Sequence, residues 1–195
     1  MEKIARFIFE LGMLKKTPRT GYQFLGNGHE SVAAHSYRTI MIAYILAKEQ
    51  GEVDVWRTVA MAMVHDVAEA RTADHNYVNK KYVEIDEAKA TADQMEGLDF
   101  GPELAEYKGE FEKAETMEAK LARDADQLDL IFQLKEHQDL GNSYAPKWIK
   151  AAYKRLTTPL AKKLARQACE TDWSSWWFTE GDPWWVHGGR NQEES

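Results

Sequence analysis

The stretch that most constrains this chain is WRTVAMAMVHDVAEA, residues 56–70, where His65 and Asp66 stand together inside an apolar run. Trp56, Val59, Ala60, Met63, Val64, Val67 and Ala68 recur at three- and four-residue spacing, the pattern of a helix face turned into a core. An imidazole and a carboxylate on that face cost on the order of several kcal/mol unless something compensates. A divalent cation does so, because neutral imidazole and carboxylate both ligate Mn, Fe, Co, Ni or Zn. On a helix running from about Val53 to Ala70, Glu69 lies one turn beyond His65 and faces the same place without serving as a ligand. For this stretch alone, the plainer reading is a solvated helix end with a charged turn.

The surrounding chain is all-α in character. Helix formers dominate, Pro and Gly number only 5 and 12, and period-two alternation rich in Val, Ile and Thr is almost absent. A length of 195 residues then suits one domain around one core. The single Cys169 excludes an intrachain disulfide and a thiolate cluster, which fits a reducing compartment. The apolar stretch in MEKIARFIFELGMLKK is too short for a signal peptide, and no window nears twenty apolar residues, so a cytoplasmic protein without a membrane span is expected. A net charge of −7 argues against binding a nucleic-acid polymer. It leaves room for a small phosphorylated substrate held by a metal and a few Arg or Lys.

Taken in order, Ile4, Phe7, Ile8, Leu11 and Leu14 predict a first amphipathic helix, followed by the turn-rich loop PRTGYQFLGNGHES. Arg19, Thr20 and Gly21 offer a fixed charge, a hydroxyl and a flexible backbone, which suit a phosphate, although Arg19 alone could equally cap the preceding helix. A long helix is expected from about Glu30 to Glu49, with Ser31 as its cap and His35 in its early turns. A lone His there is more often a hydrogen-bonded core residue than a ligand. The short loop at Gly51, however, makes this helix and the next antiparallel neighbours, so the start of one lies beside the end of the other. That places His35 next to His65.

Beyond Ala70 the polar turn RTADHNY lets Asp74 reach back toward His65 and Asp66. A charged helix from about Val78 or Tyr82 to Met95 and a short polar one from Pro102 to Lys113 carry no readable chemistry. The segment Thr116–Asp139 is apolar on more than one side, so it is expected at the centre. It holds Asp124, Asp126 and Asp129, of which at least one should be paired or bound to metal; periodicity alone favours Asp129. Helices over 145–155 and 159–169 complete the domain, placed at residues 1–172. The remainder, 173–195, holds five of the seven Trp and is expected to pack on the core or on a second subunit, with residues from Gly188 onward disordered.

With these residues in view, the sequence resembles the HD-domain phosphohydrolases, and within them the 5'-deoxynucleotidase-like proteins. The resemblance rests on PRTG at 18–21, ESVAAHSYR at 30–38, HDVAEARTAD at 65–74 and RDAD at 123–126, spread in order over nearly the whole domain. It implies a helical bundle around one divalent ion (Mn, Co, Fe, Ni, Zn or Mg) held by His35, His65, Asp66 and Asp126. The last of these replaces Asp129 as the favoured acid. It further implies Glu69 and Asp74 as catalytic acids, and Arg19 with Thr20 at the substrate phosphate. Ala73 departs from the pattern, standing where Gly is common, and the Trp-rich tail is not shared.

The implied reaction is removal of the 5'-phosphate from a deoxynucleoside monophosphate by a metal-activated water, in a homodimer. The same site could attack a nucleoside triphosphate or another phosphoester. A metal-binding regulatory or interaction module is the non-enzymatic alternative, disfavoured because Arg19, Glu69 and Asp74 all accompany the ligands.

Overall fold

A computed structural model describes residues 1–188. Its centre is the helix α7, Met117–Asp139, whose Ala119, Leu121, Ala122, Ala125, Leu128, Ile131 and Leu134 are all fully buried. Such a helix survives only if neighbours cover it on every side. They are α2 (Val32–Gln50), α3 (Val55–Val64), α6 (Gly101–Lys113), α8 (Ala145–Arg155) and α9 (Pro159–Glu170). The all-α bundle expected from the sequence is therefore the fold. Among the described residues there is no strand, only an isolated bridge between Pro18 and Ser31.

Caps set the helix ends where the sequence placed them. The Ser31 hydroxyl accepts the Ala34 N–H, Asp54 accepts the Arg57 N–H and Thr116 accepts the Ala119 N–H. α2 stops at Gly51, with φ 66° and ψ 165°, a region essentially restricted to glycine. The loop after it folds α3 back along α2. Asp124 serves α9: it accepts the Thr157 and Thr158 N–H groups at 2.8 Å each and the Thr158 hydroxyl at 2.7 Å.

The loop before α2 is tied at its base. Arg19 N–H donates to the Glu30 carbonyl (2.9 Å) and Val32 N–H to the Thr17 carbonyl (3.0 Å). The 3₁₀ turn Thr20–Phe24 is thereby held over the start of α2.

Three segments differ from expectation. The first helix, α1, covers Glu2–Leu11 and tightens into a 3₁₀ turn over Gly12–Lys15. The charged helix α5 begins only at Glu87, where Asp86 caps it, because Asn76 pins the preceding loop by accepting the Val78 and Asn79 N–H groups. Most consequential, the helix expected through Ala70 breaks at Val64. His65 Nδ1 donates to the Ala62 carbonyl (2.8 Å), the acceptor an α-helix would offer to the Asp66 N–H. Beyond it the chain closes in tighter turns, with Glu69 N–H on Asp66 O (3.0 Å) and Ala70 N–H on Val67 O (3.2 Å). A short helix, α4, Glu69–Thr72, follows.

The Trp-rich segment runs from Trp173 to the short helix α10, Pro183–Val186. Trp173 N–H donates to Asp139 (3.1 Å), while Trp177 packs edge-on against Trp173, Phe178 and Trp185. Trp176 is 82 % exposed. The expectation for the last residues falls on 189–195, outside the described residues.

α4 ends at Ala73 with φ 61° and ψ 162°, nearly the conformation Gly51 adopts. For a residue with a Cβ this costs about 1–3 kcal/mol. Ala73→Gly is accordingly expected to raise stability by about 1 kcal/mol after the entropy of the added glycine is subtracted. A denaturant titration checks this; an unchanged or lower midpoint would show that the alanine methyl contributes packing that offsets the strain.

Candidate metal centre

α2 presents His35 from its first turns and the break after α3 presents His65, both nearly inaccessible to solvent. Each imidazole is held from behind. His35 Nδ1 donates to Asp129 Oδ2 at 2.5 Å, and His65 Nδ1 donates to the Ala62 carbonyl at 2.8 Å. With both Nδ1 atoms committed as donors, the neutral rings turn their Nε2 lone pairs toward one point, 3.3 Å apart. Asp66 Oδ2 reaches the same point, 3.1 Å from His65 Nε2 and 3.5 Å from His35 Nε2. Asp126 Oδ1 stands 3.2 Å from His35 Nε2.

Four acceptor atoms thus converge, and Asp66 Oδ2 is buried without a hydrogen-bond partner. Their spacing is that of neighbouring ligands on one ion. At a bond length of about 2.1 Å, adjacent ligands lie about 3.0 Å apart in an octahedron and about 3.4 Å apart in a tetrahedron. His35, His65 and Asp126 offer ligand atoms close enough to share a divalent cation, and Asp66 Oδ2 lies beside both imidazoles.

The electrostatics agree. Burial and the Arg19 guanidinium oppose a charge on His35, yet Asp126 and Asp129 outweigh them and raise its pKa to about 10. Burial likewise opposes charge on Asp66, but His65, His35 and Arg19 hold it well below the usual carboxylate range. Asp126 is depressed in the same way, with the two imidazoles overcoming its burial. The centre demands positive charge, which a proton meets with one unit and a divalent ion with two. Glu69 goes the other way: burial, then Asp66 and Asp74, push it up to about 9.

A cavity of about 180 Å³ opens onto the centre, lined among others by Arg19, Glu69, Asp74, Lys80 and Asp126. Glu69 Oε2 is buried there without a hydrogen-bond partner. Arg71 and Arg38 are engaged elsewhere, Arg71 with Glu10 and Arg38 with Asp129 and Glu136, and Arg19 and Lys80 offset the burial of Glu69 only in part. Arg19 Nη1 sits 3.7 Å from Asp66 and 3.9 Å from Asp74. Thr20 faces differently: its N–H (2.6 Å) and hydroxyl (3.1 Å) both donate to Asp74 Oδ2. Asp74 therefore anchors the loop that carries Arg19.

Periodicity favoured Asp129 for the centre, and the structure places it one layer behind, between His35 and Arg38. Sequence reasoning did not find Arg38 on Asp129, nor Gln133 and Glu136, which accept from Arg38. Their signal was present as polar residues one turn apart on α2 and α7. Gln127 was missed as well; its Nε2 donates to Asp126 Oδ2 at 2.7 Å.

Comparisons with known proteins point the same way. The HD domain family model matches residues 11–168. The 5'-deoxynucleotidase HDDC2 of Bos taurus is 33 % identical over 145 residues, covering 71 % of this chain and 70 % of its own. A conserved hypothetical protein from Pyrococcus furiosus superposes with a TM-score of 0.72 at 32 % identity, over 86 % of this chain and 99 % of its own. A predicted metal-dependent phosphohydrolase from Magnetospirillum magnetotacticum shares the fold, with a TM-score of 0.69 at 22 % identity over 87 % of this chain and 93 % of its own. With the fold, the convergent His and Asp donors and these matches together, the chain belongs to the HD-domain phosphohydrolases, in their 5'-deoxynucleotidase-like group.

Proposed function

We propose that this enzyme removes the 5'-phosphate from deoxynucleoside 5'-monophosphates, using one divalent ion held by His35, His65, Asp66 and Asp126. The observation that carries the reading is the meeting of His65 Nε2, Asp66 Oδ2 and Asp126 Oδ1 around His35 Nε2, each 3.2–3.5 Å from it, at the edge of a cavity that also holds Arg19 and Glu69. A bound ion would supply Lewis acidity and a water of lowered pKa.

The protein's own groups do the rest. Arg19 brings a fixed positive charge that orients the phosphate, and Asp74 holds the Arg19–Thr20 backbone in place. Thr20 contributes through that anchor. Glu69, with its pKa held near 9, carries a proton at neutral pH and can pass it to the leaving 5'-oxygen. Arg19 and Lys80 are the Arg and Lys side chains lining the cavity, a positive charge matched to a monophosphate. Orthophosphate plus nucleoside is the expected product; tripolyphosphate from a nucleoside triphosphate would replace this reading with the triphosphohydrolase one. The free Cys169 fits a cytoplasmic setting.

Two variants test the assignments together. Asp66→Ala should lose bound metal and activity while keeping its helix content. Glu69→Gln should keep metal and substrate binding yet lose turnover by about a hundredfold or more, the scale of a missing general acid. Metal analysis and turnover on one deoxynucleoside monophosphate decide the matter. Full metal in Asp66→Ala would reject the centre, and near-normal turnover in Glu69→Gln would move the proton to Asp74.

We also propose that residues 1–172 form the catalytic unit and that two copies pair, with the Trp-rich tail packed on the core or on the partner. Support comes from a groove of about 850 Å³ bordered by α1, α2, α3 and α6, where Tyr37, Trp56 and Met63 stand exposed. Among the described residues no helix is long and apolar enough to cross a membrane. Truncation after Thr171 should lower the melting temperature or shift the mass in solution toward monomer, with turnover at saturating substrate changed less. Unchanged melting and mass would show that the tail is free.

A further inference from the structure

We infer that an aromatic slot beside the metal cavity, walled by Tyr77 and Trp148, seats the nucleobase of the substrate. This rests on the nucleotide reading above and adds to it the part of the molecule that selects what the phosphate is attached to.

The slot has a volume of about 460 Å³ and shares Tyr77, Leu130 and Trp148 with the cavity at the metal centre, so the two adjoin along these residues. Its other large walls are Phe24 and Tyr144. One side of the slot, Tyr144, Trp148, Ala151 and Arg155, comes from α8 and its cap; the other side comes from segments that build the phosphate end. The loop carrying Arg19 continues to Phe24, and the turn carrying Asp74 continues to Tyr77. One turn along α7 from Asp126 lies Leu130. A ligand whose phosphate meets Arg19 therefore has this slot as its next compartment.

The chemistry of the slot suits a flat, uncharged ring. No carboxylate lines it; Arg155 is its single charged residue, with the guanidinium 5.2 Å over the Tyr77 ring. Phe24 and Trp148 lie with ring centroids 6.3 Å apart. Tyr77 is 54 % exposed and Tyr144 58 % exposed; Arg155 lies over one face of Tyr77 and Lys147 Nζ 5.4 Å over Tyr144, which leaves at most one face of each ring for stacking. Every base offers a π-face to such side chains, which makes stacking tolerant of base identity.

Arg155 also links the slot to the centre. Its Nε donates to Gln127 Oε1 at 2.5 Å, and Gln127 Nε2 donates to Asp126 Oδ2 at 2.7 Å, leaving Asp126 Oδ1 turned to His35. A base entering beside Tyr77 meets the outer end of that chain.

The test compares a deoxynucleoside 5'-monophosphate with deoxyribose 5-phosphate, which keeps the reacting phosphate and lacks the base. The wild-type enzyme should favour the nucleotide in kcat/KM by about tenfold or more, the scale of one stacking contact. Tyr77→Ala, at an exposed position that the core does not need, should lower kcat/KM for the nucleotide about tenfold more than for the sugar phosphate. Calorimetric titration with the free deoxynucleoside should show binding to the wild type and weaker binding to Tyr77→Ala. Equal kcat/KM for the two substrates in the wild type, or an equal loss for both in the variant, overturns the slot. If the wild type hydrolyses neither compound, the nucleotidase reading fails and the titration alone decides. Binding weakened by Tyr77→Ala then upholds the slot, and unchanged binding overturns it.

Discussion

The structure depends on holding His65 Nε2, Asp66 Oδ2 and Asp126 Oδ1 within 3.5 Å of His35 Nε2 inside an apolar bundle. Nothing in the bundle's apolar packing favours this, so His35, His65 and Asp126 are each fixed by a partner behind them, while Asp66 Oδ2 has none. Asp129 takes the proton of His35 Nδ1 and is itself fully buried, which would be costly without Arg38. Arg38 in turn reaches Gln133 and Glu136 and ends half in solvent. The polar chain runs from the buried centre to water through groups that each have a partner. Such a network orients the ligand imidazole and sets its tautomer, which a His in an otherwise apolar pocket could not do.

His65 solves the same problem with backbone. By taking the Ala62 carbonyl it ends the α-helical register, and the chain then winds tightly enough to bring Asp66 and Glu69 to one cavity. Helix α3 can remain a regular, apolar support because the irregularity begins where the chemistry begins. The loop at Arg19–Thr20 is brought in from the other side, pinned by the Pro18–Ser31 bridge and by Asp74. Four separate parts of the chain meet at one point, His35 and Asp126 from the regular helices α2 and α7, and residues 65–74 and Arg19–Thr20 from irregular segments.

Much of this could be read from residues, and the limits are physical. Periodicity located α7 as the central helix and the antiparallel pairing of α2 with α3, because both follow from apolar spacing and loop length alone. Among Asp124, Asp126 and Asp129 it favoured Asp129 for the centre, a weak choice since all three lie within a helix buried on several sides. Burial says that an acid has a partner, not which partner. In the fold Asp124 caps α9, Asp129 supports His35 and Asp126 faces the cavity. The break after Val64 was also hidden, because a His that competes with the main chain for a carbonyl has the same sequence as one that does not. Thr20 suits a phosphate by composition, and only the fold shows its N–H and hydroxyl turned to Asp74.

The departures from ordinary local rules cluster in one segment. Within residues 65–74 lie the broken helix, the unpartnered Asp66 Oδ2, the unpartnered Glu69 Oε2 and the Ala73 backbone at φ 61°. Outside that segment the departures of the same kinds stand singly, Glu52 and Ala114 at positive φ and Gln94 Oε1 without a partner, while caps and periodicity agree at Ser31, Asp54 and Thr116. A segment this costly persists only when the surrounding bundle over-determines it. The fully buried residues of α7 supply that stability from a helix that contributes just one carboxylate to the centre. Apolar burial and reactive geometry are thus divided between different elements, and the strain is concentrated where an unsatisfied carboxyl and a cluster of lone pairs can act on a ligand.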